Sequence, residues 1–142
     1  MSRQVCFLDS SAVTKLVVAE PESAALAQRL SGHVLVGSAL LVTEVSRAVR
    51  RVLGRSQDAL LAEVLGLVDL VTIDLAVLSA AAELPLAGLR SLDALHLASA
   101  LTLGQRVDVL IAYDERLLEA ARAAGLTVEQ PGIEVPSGII LR

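Results

Sequence analysis

The chain has 142 residues, 54% of them apolar, 1% aromatic and 20% charged, with a formal net charge of −4. That length fits one domain able to bury a sizeable core, and the acidic balance excludes a protein that coats nucleic acid by bulk charge. With Phe7 and Tyr113 as the only aromatics, base-stacking platforms are excluded as well.

No apolar run approaches the roughly 18–20 residues of a membrane span, and Glu63, Asp69, Asp74 and Glu83 interrupt the most apolar region. No basic start leads into a long apolar segment, so neither a secretory signal nor membrane attachment is expected. Cys6 is the single cysteine and has no partner for an internal disulfide, which suits a reducing, cytoplasmic setting. A mean hydropathy of +0.66 implies a well-filled interior plus an exposed apolar patch used for association.

In chain order, residues 4–8 form a short apolar run, read as a strand buried on both faces. It ends at Asp9, where Asp9-Ser10-Ser11 opens a helix through about residue 18. Pro21-Glu22 starts a second helix, and residues 33–37 hold a second strand. Ser38 is expected to cap a long helix with Leu41, Val42, Val45, Val49 and Val52 as apolar positions, closed at Gly54. A helix at 57–65, a strand at 68–73 and a helix at 74–83 follow, then a loop around Pro85 and Gly88. Ser91 is expected to cap a central helix running to Gly104, buried over much of its circumference. A strand at 107–112, a helix at 114–124 closed by Gly125, and a strand at 126–129 complete the pattern.

Strands alternating with helices, without hairpin signals, predict a mainly parallel sheet of four to five strands with helices on both faces. Residues just past the carboxyl ends of such strands converge on one crevice. The regular domain is placed at residues 1–131; residues 132–142, with Ile139, Ile140 and Leu141, read as a docked end strand or an interface arm.

Four acids can reach that crevice. Asp9 follows the first strand, Asp114 follows the strand at 107–112, Glu44 lies in the helix after the second strand, and Asp93 opens the central helix. Each also has a plainer reading: Asp9 and Asp114 as helix N-caps, Asp93 as a complement to the helix dipole, Glu44 as an ion-pair partner for Arg47 or Arg51. Asp58, Asp69 and Asp74 occupy comparable chain positions but share no apex, and so act as a control. Four carboxylates brought together repel one another, and some must protonate unless cations neutralise them. An all-oxygen donor set suits Mg2+ or Mn2+ before Zn2+. Such ions activate water and bind phosphate oxygens, so the chemistry this pattern points to is metal-assisted phosphodiester hydrolysis.

His96 lies one turn after Asp93, either as a structural residue or as one that orients that carboxylate or touches substrate. Arg47, Arg51 and Arg55 recur at four-residue spacing with Arg50 beside them, a solvated face or a stripe that guides phosphates.

The segments Leu8-Asp9-Ser10-Ser11, Thr43-Glu44-Val45, Leu92-Asp93-Ala94-Leu95-His96-Leu97-Ala98 and Ala112-Tyr113-Asp114-Glu115-Arg116-Leu117 resemble the PIN domain in order and spacing. Within that family the likeness is to VapC-type toxins of bacterial toxin–antitoxin pairs, and it covers nearly the whole chain. The resemblance implies a three-layer α/β/α fold, Mg2+- or Mn2+-dependent endoribonuclease activity, a homodimer, and inhibition by a cognate antitoxin. It maps the metal-binding carboxylates onto Asp9, Glu44, Asp93 and Asp114, and a hydroxyl beside the first acid onto Ser10 or Ser11. Arg47 and Arg51 are then the residues expected to meet RNA. Ala112 departs from the family pattern, standing where relatives often carry serine or threonine.

Two rival readings remain. One is a catalytically silent PIN scaffold that binds a protein partner or RNA; the presence of all four acids counts against it. The other is a phosphoaspartyl enzyme using Asp9, which would want an acid at position 11, where the chain has Ser11, and a lysine partner where only Lys15 exists. The surplus of apolar residues, with helices through Leu26 and Leu60 to Leu65, predicts a homodimer and a hydrophobic groove near the first helices for an antitoxin segment.

Overall fold

The computed structural model describes residues 2–133 apart from Ser56 and Ala87. In chain order the elements are β1 (Val5–Leu8), α1 (Ser10–Val17), α2 (Ser23–Leu30), β2 (Val34–Ser38), α3 (Leu41–Leu53), α4 (Asp58–Leu65) and β3 (Val68–Val71). After these come α5 (Leu75–Ala82), α6 (Ser91–Leu103), a 3-10 turn (Gly104–Arg106), β4 (Val109–Ile111), α7 (Glu115–Ala123) and β5 (Val128–Glu129). The strands make one parallel sheet in the order β3-β2-β1-β4-β5.

The apolar runs of β1 and β4 explain the three layers. Successive side chains of a strand point to opposite faces. Cys6 and Leu8, with Val109 and Ile111, pack on the face covered by α1 to α4, against Val13, Leu26, Val45 and Leu61 among others. Phe7, Leu110 and Ala112 pack on the opposite face, against Leu97 of α6 and Leu117 of α7. Cys6, Phe7 and Leu8 are fully buried, and each large apolar side chain so buried contributes roughly 1.5–3 kcal/mol. That is the expected three-layer α/β/α sandwich, with five strands.

From β1 the chain builds outward to β2 and β3, then returns to add β4 and β5 on the other side. The direction of strand addition therefore reverses between β1 and β4, and a crevice opens beyond their carboxyl ends, where ligands of open α/β sheets bind. Gly37 guards the neighbouring edge. It lies opposite Leu8 in the β1–β2 register, and a Cβ there would come within 2.4 Å of Leu41 Cδ1 and 3.0 Å of the Leu8 carbonyl oxygen. Gly37→Ala is expected to destabilise the protein by about 1–3 kcal/mol, the usual range for overpacking. A denaturation midpoint unchanged from wild type would contradict that.

Several boundaries differ from the sequence expectation. Ser38 is the last, fully buried residue of β2 and its Oγ accepts from the Leu40 N–H at 3.1 Å; Leu40, not Ser38, is the cap position of α3. Ser91 is the first helical residue of α6, with Arg90 in the cap position and no side-chain cap. β4 is shorter than 107–112 because the 3-10 turn runs to Arg106. The apolar surplus lies only partly where expected. Leu60 is exposed, but Leu26, Leu61 and Val64 turn inward, and most of the open side chains are elsewhere: Leu67 is 65% and Leu75 81% exposed, with Leu70, Leu78 and, on α3, Val42 and Val52 also open. Gly132 lies close to Ala25 of α2 and to Glu22 in the cap position before it; the rest of the 132–142 segment, from residue 134, lies outside the described residues.

Candidate functional site

Asp9 lies just past the carboxyl end of β1, 3% exposed. It caps α1 as the plainer reading held: Oδ1 accepts from the Ala12 N–H at 3.1 Å and from the Ser11 hydroxyl at 2.6 Å. Both bonds fall on Oδ1, so the other oxygen carries neither. Capping and site chemistry are thus compatible in one carboxylate. Burial pushes its pKa up to about 6, against the pull of the Ser11 hydroxyl and the charge of His96. Ser11 ties the crevice together. Besides donating to Asp9, its Oγ accepts from the Tyr113 N–H at 2.9 Å, joining α1 to the loop after β4. The Ser10 side chain lines the adjoining groove.

Asp114 caps α7 in the same manner, its Oδ1 accepting from the Arg116 and Leu117 N–H groups at 2.8 and 3.3 Å. Asp93 lies in the first turn of α6, half-buried. Its pKa is raised, first by burial and then by the neighbouring Asp114 and Glu44 carboxylates, with His96 and Arg90 acting in the opposite direction. Asp93 thus shares one electrostatic neighbourhood with Asp114, Glu44 and His96, and His96 also acts on Asp9. Asp58, Asp69 and Asp74 have no part in it: Asp74 caps α5, and Asp69 faces outward on the edge strand β3.

Glu44 has a partner that the sequence did not indicate. His96 Nε2 and Glu44 Oε1 are 2.5 Å apart, with His96 only 1% exposed. The contact crosses from α6 to α3, so His96 holds Glu44 and not Asp93, and no ion pair between Glu44 and Arg47 or Arg51 exists among the described residues. Among the described residues His96 Nδ1 is buried without a hydrogen-bond partner, a cost of about 1–3 kcal/mol that a purely apolar residue would avoid. His96→Gln retains a donor near the Nε2 position, whereas His96→Leu leaves Glu44 without one. If Glu44 supports a bound divalent ion, the glutamine variant is expected to bind Mn2+ within a few-fold of wild type and the leucine variant at least roughly ten-fold more weakly. Equal Mn2+ affinity of both variants, read by calorimetric titration, would contradict this role.

A groove of about 710 Å³ runs away from the acids between α1 and α3, lined by Ser10, Ser11, Thr43, Glu44, Arg47 and Arg51 together with Lys15 and Leu92. Arg47 and Arg51 are exposed and have no ion-pair partner among the described residues. Arg50 and Arg55 do not line it. Lys15 is committed elsewhere, to Glu20 and Glu22 at 2.5 and 3.1 Å and over the Tyr113 ring at 4.5 Å from its centroid. Tyr113 in turn donates its hydroxyl to the Pro131 carbonyl. Ala112 is fully buried against the α6–α7 side of the sheet, away from the crevice. Arg90 and Arg116, passed over in the sequence, line a smaller pocket with Asp93 and Asp114. Their signal was position: each lies two or three residues from a candidate acid.

Among the described residues, no three acidic, histidine or cysteine side chains stand close enough to form a ready-made metal cage. Hard ions of the Mg2+ type keep several waters and take only one or two carboxylates directly. A buried Asp9 whose second oxygen takes no hydrogen bond among the described residues, and a half-buried Asp93 with acidic neighbours, are hard oxygen donors that fit such a water-rich ion and not zinc.

Taken together, the parallel α/β/α sandwich with carboxylates gathered where strand addition reverses defines a class, that of α/β domains with an acidic crevice. Residues 6–123 match the model of the PIN domain family. The chain belongs to the PIN-domain family, and to its VapC-type members. It is 43% identical over 131 residues to Ribonuclease VapC35 of Mycobacterium tuberculosis, covering 89% of this chain and 96% of the relative. Ribonuclease VapC46 of the same species is 43% identical over 128 residues, with 88% and 96% covered. The fold also matches a chain in the crystal structure of VapBC2 from Rickettsia felis bound to a DNA fragment from their promoter, at a TM-score of 0.62 and 11% identity, over 90% of this chain and 99% of that one. That last likeness bears on the fold alone.

Proposed function

We propose that this chain is a divalent-metal-dependent endoribonuclease and the toxin of a toxin–antitoxin pair. The observation that carries the reading is the half-buried Asp93, its pKa raised by burial and by the Asp114 and Glu44 carboxylates, together with the buried Asp9, whose pKa burial also raises. The identity to VapC ribonucleases along nearly the whole chain supports the substrate class.

Asp9, through its uncommitted oxygen, and Asp93 would hold Mg2+ or Mn2+, with Glu44 and Asp114 in reach through water. When bound, such an ion supplies Lewis-acid polarisation of a phosphate oxygen and a water acidic enough to attack. The chain's own residues do the rest. Ser11 and the Ala12 N–H fix the Asp9 carboxylate, and His96 fixes Glu44. Arg47 and Arg51 offset the charge of the incoming phosphodiester chain from the groove, and Ser10 lies where a strand entering that groove would pass.

A cognate antitoxin that fills the groove would exclude RNA from it. We propose that a homodimer would form through α5, whose Leu75–Ala82 segment carries no charge and buries only Val77 fully; second-copy interfaces favour such apolar, charge-poor surface. Leu75→Glu with Leu78→Glu is expected to convert a dimer into a monomer by light scattering. A wild-type monomer at micromolar concentration would overturn the placement.

The reading is tested by inducing the chain in a bacterial host without its partner gene. Wild type should arrest growth and fragment RNA, and Asp93→Asn should do neither. Equal arrest by both, without RNA cleavage, would favour the silent scaffold instead.

A further inference from the structure

The acids have basic residues on two sides. On one side lies the groove with Arg47 and Arg51. On the other, Arg90 and Arg116 line a pocket of about 310 Å³ with Asp93, Asp114 and Glu115. Arg90 precedes α6 and Arg116 opens α7, so the two come from separate elements to flank the same pair of carboxylates.

The simplest use for arginines beside acids is to pair with them. Here they do not. Among the described residues neither Arg90 nor Arg116 comes within ion-pair distance of a carboxylate, and both are exposed. Arg90 is near enough only for its charge to act on Asp93 through space. Guanidinium forks held close to carboxylates but uncommitted to them are placed to receive a different oxyanion, and phosphate is the one their geometry suits.

We infer that Arg90 and Arg116 form a second phosphate grip, so that a single RNA strand crosses the acids with Arg47 and Arg51 holding phosphates on one side of the cut and Arg90 and Arg116 on the other. The inference deepens the ribonuclease reading and rests on it for the location of the cut. The strand is gripped by its backbone and not by its bases. Phe7 is fully buried and the Tyr113 hydroxyl is bonded to the Pro131 carbonyl, so neither aromatic is free to serve as a stacking platform. A single strand is favoured over a duplex because Asp9 is only 3% exposed, and a flexible backbone approaches a recessed carboxylate more readily than a stiff double helix.

The test uses the intact chain carrying Asp9→Asn, which is not expected to cut, and a fluorescein-labelled single-stranded RNA of about twelve nucleotides and mixed sequence. Affinity is measured between about 50 and 200 mM salt for that protein alone, with Arg90→Ala and Arg116→Ala added, with Arg47→Ala and Arg51→Ala added, and with Arg50→Ala and Arg55→Ala added as the control. Losing two phosphate contacts to a single strand lowers the salt slope by about 1.4. Over a four-fold salt range this makes the loss of affinity about seven-fold smaller. Each of the first two pairs should show that change, and the control pair should not. An Arg90/Arg116 variant with the affinity and slope of its parent overturns the second grip. Tighter binding of a duplex of the same sequence overturns the single-strand assignment. Cleavage of the same RNA by the wild-type protein with Mg2+ is measured in parallel. Failure there refutes the ribonuclease reading, whereas unchanged binding with intact cleavage refutes the second grip alone.

Discussion

Asp9→Asn is expected to raise the melting temperature of the metal-free protein near pH 7.5. In the fold the Asp9 carboxyl has its pKa raised from 3.8 to about 6, chiefly by burial. A carboxyl whose folded pKa exceeds its unfolded one is destabilising once ionised. The penalty is absent below about pH 4, grows as pH rises between the two pKa values, and is complete above about pH 6. At 1.36 kcal/mol per pH unit this amounts to about 2–3 kcal/mol, or on the order of 5–10 °C for a chain of this size. Asparagine escapes the penalty while its oxygen still accepts from the Ser11 hydroxyl and the Ala12 N–H, and it is an equally good N-cap. The advantage over wild type should therefore vanish near pH 4. A variant no more stable than wild type at pH 7.5, or one whose advantage persists unchanged at pH 4, would contradict the electrostatic account of the crevice.

The second large effect falls on Asp93. Its carboxyl is raised by burial and by its acidic neighbours, so it too prefers a cation close by. Asp93→Asn is expected to lower RNA cleavage by at least about 10²–10³-fold, the scale on which loss of a group that organises transition-state charge is felt. Thermal stabilisation by Mn2+ should fall with it, because binding to the native state alone raises stability by RT ln(1 + L/Kd), with L the free ion concentration, a quantity that shrinks as Kd rises. Cleavage reduced less than about five-fold would remove Asp93 from the site.

Much of this was legible in the sequence because single elements carry it. The apolar run at 4–8 is strand β1, and the acids after β1 and β4 follow from the rule that open α/β sheets gather their chemistry at strand carboxyl ends. The helix ends marked by Gly54 and Gly104 also fell where expected, Gly54 in the left-handed region at φ 68°. What could not be read depended on contacts between elements. Strand order is not encoded in the alternation of strands and helices, so the reversal between β1 and β4 emerged only from the fold. The partner of His96 is 52 residues away in sequence; helical spacing pointed to Asp93, and the crossing of α3 and α6 decided for Glu44. The plainer reading of Asp9 and Asp114 as N-caps proved compatible with the site reading, because each uses one oxygen to cap. Ser38 and Ser91 missed their expected cap positions because strand pairing and the turn before α6 set where each helix begins. Of the large exposed apolar side chains expected on α2 and α4 only Leu60 remains, because Leu26, Leu61 and Val64 pack inward beside α1; most of the rest lie on α3 and the β3–α5 region.

The most direct measurement is cleavage of single-stranded RNA by protein first stripped with chelator and then resupplied with Mg2+ or Mn2+, wild type beside Asp93→Asn. The account predicts no cleavage by either stripped protein, full recovery by wild type on adding the ion, and none by the variant. Cleavage at the same rate in chelator, or recovery by Asp93→Asn equal to wild type, would contradict it.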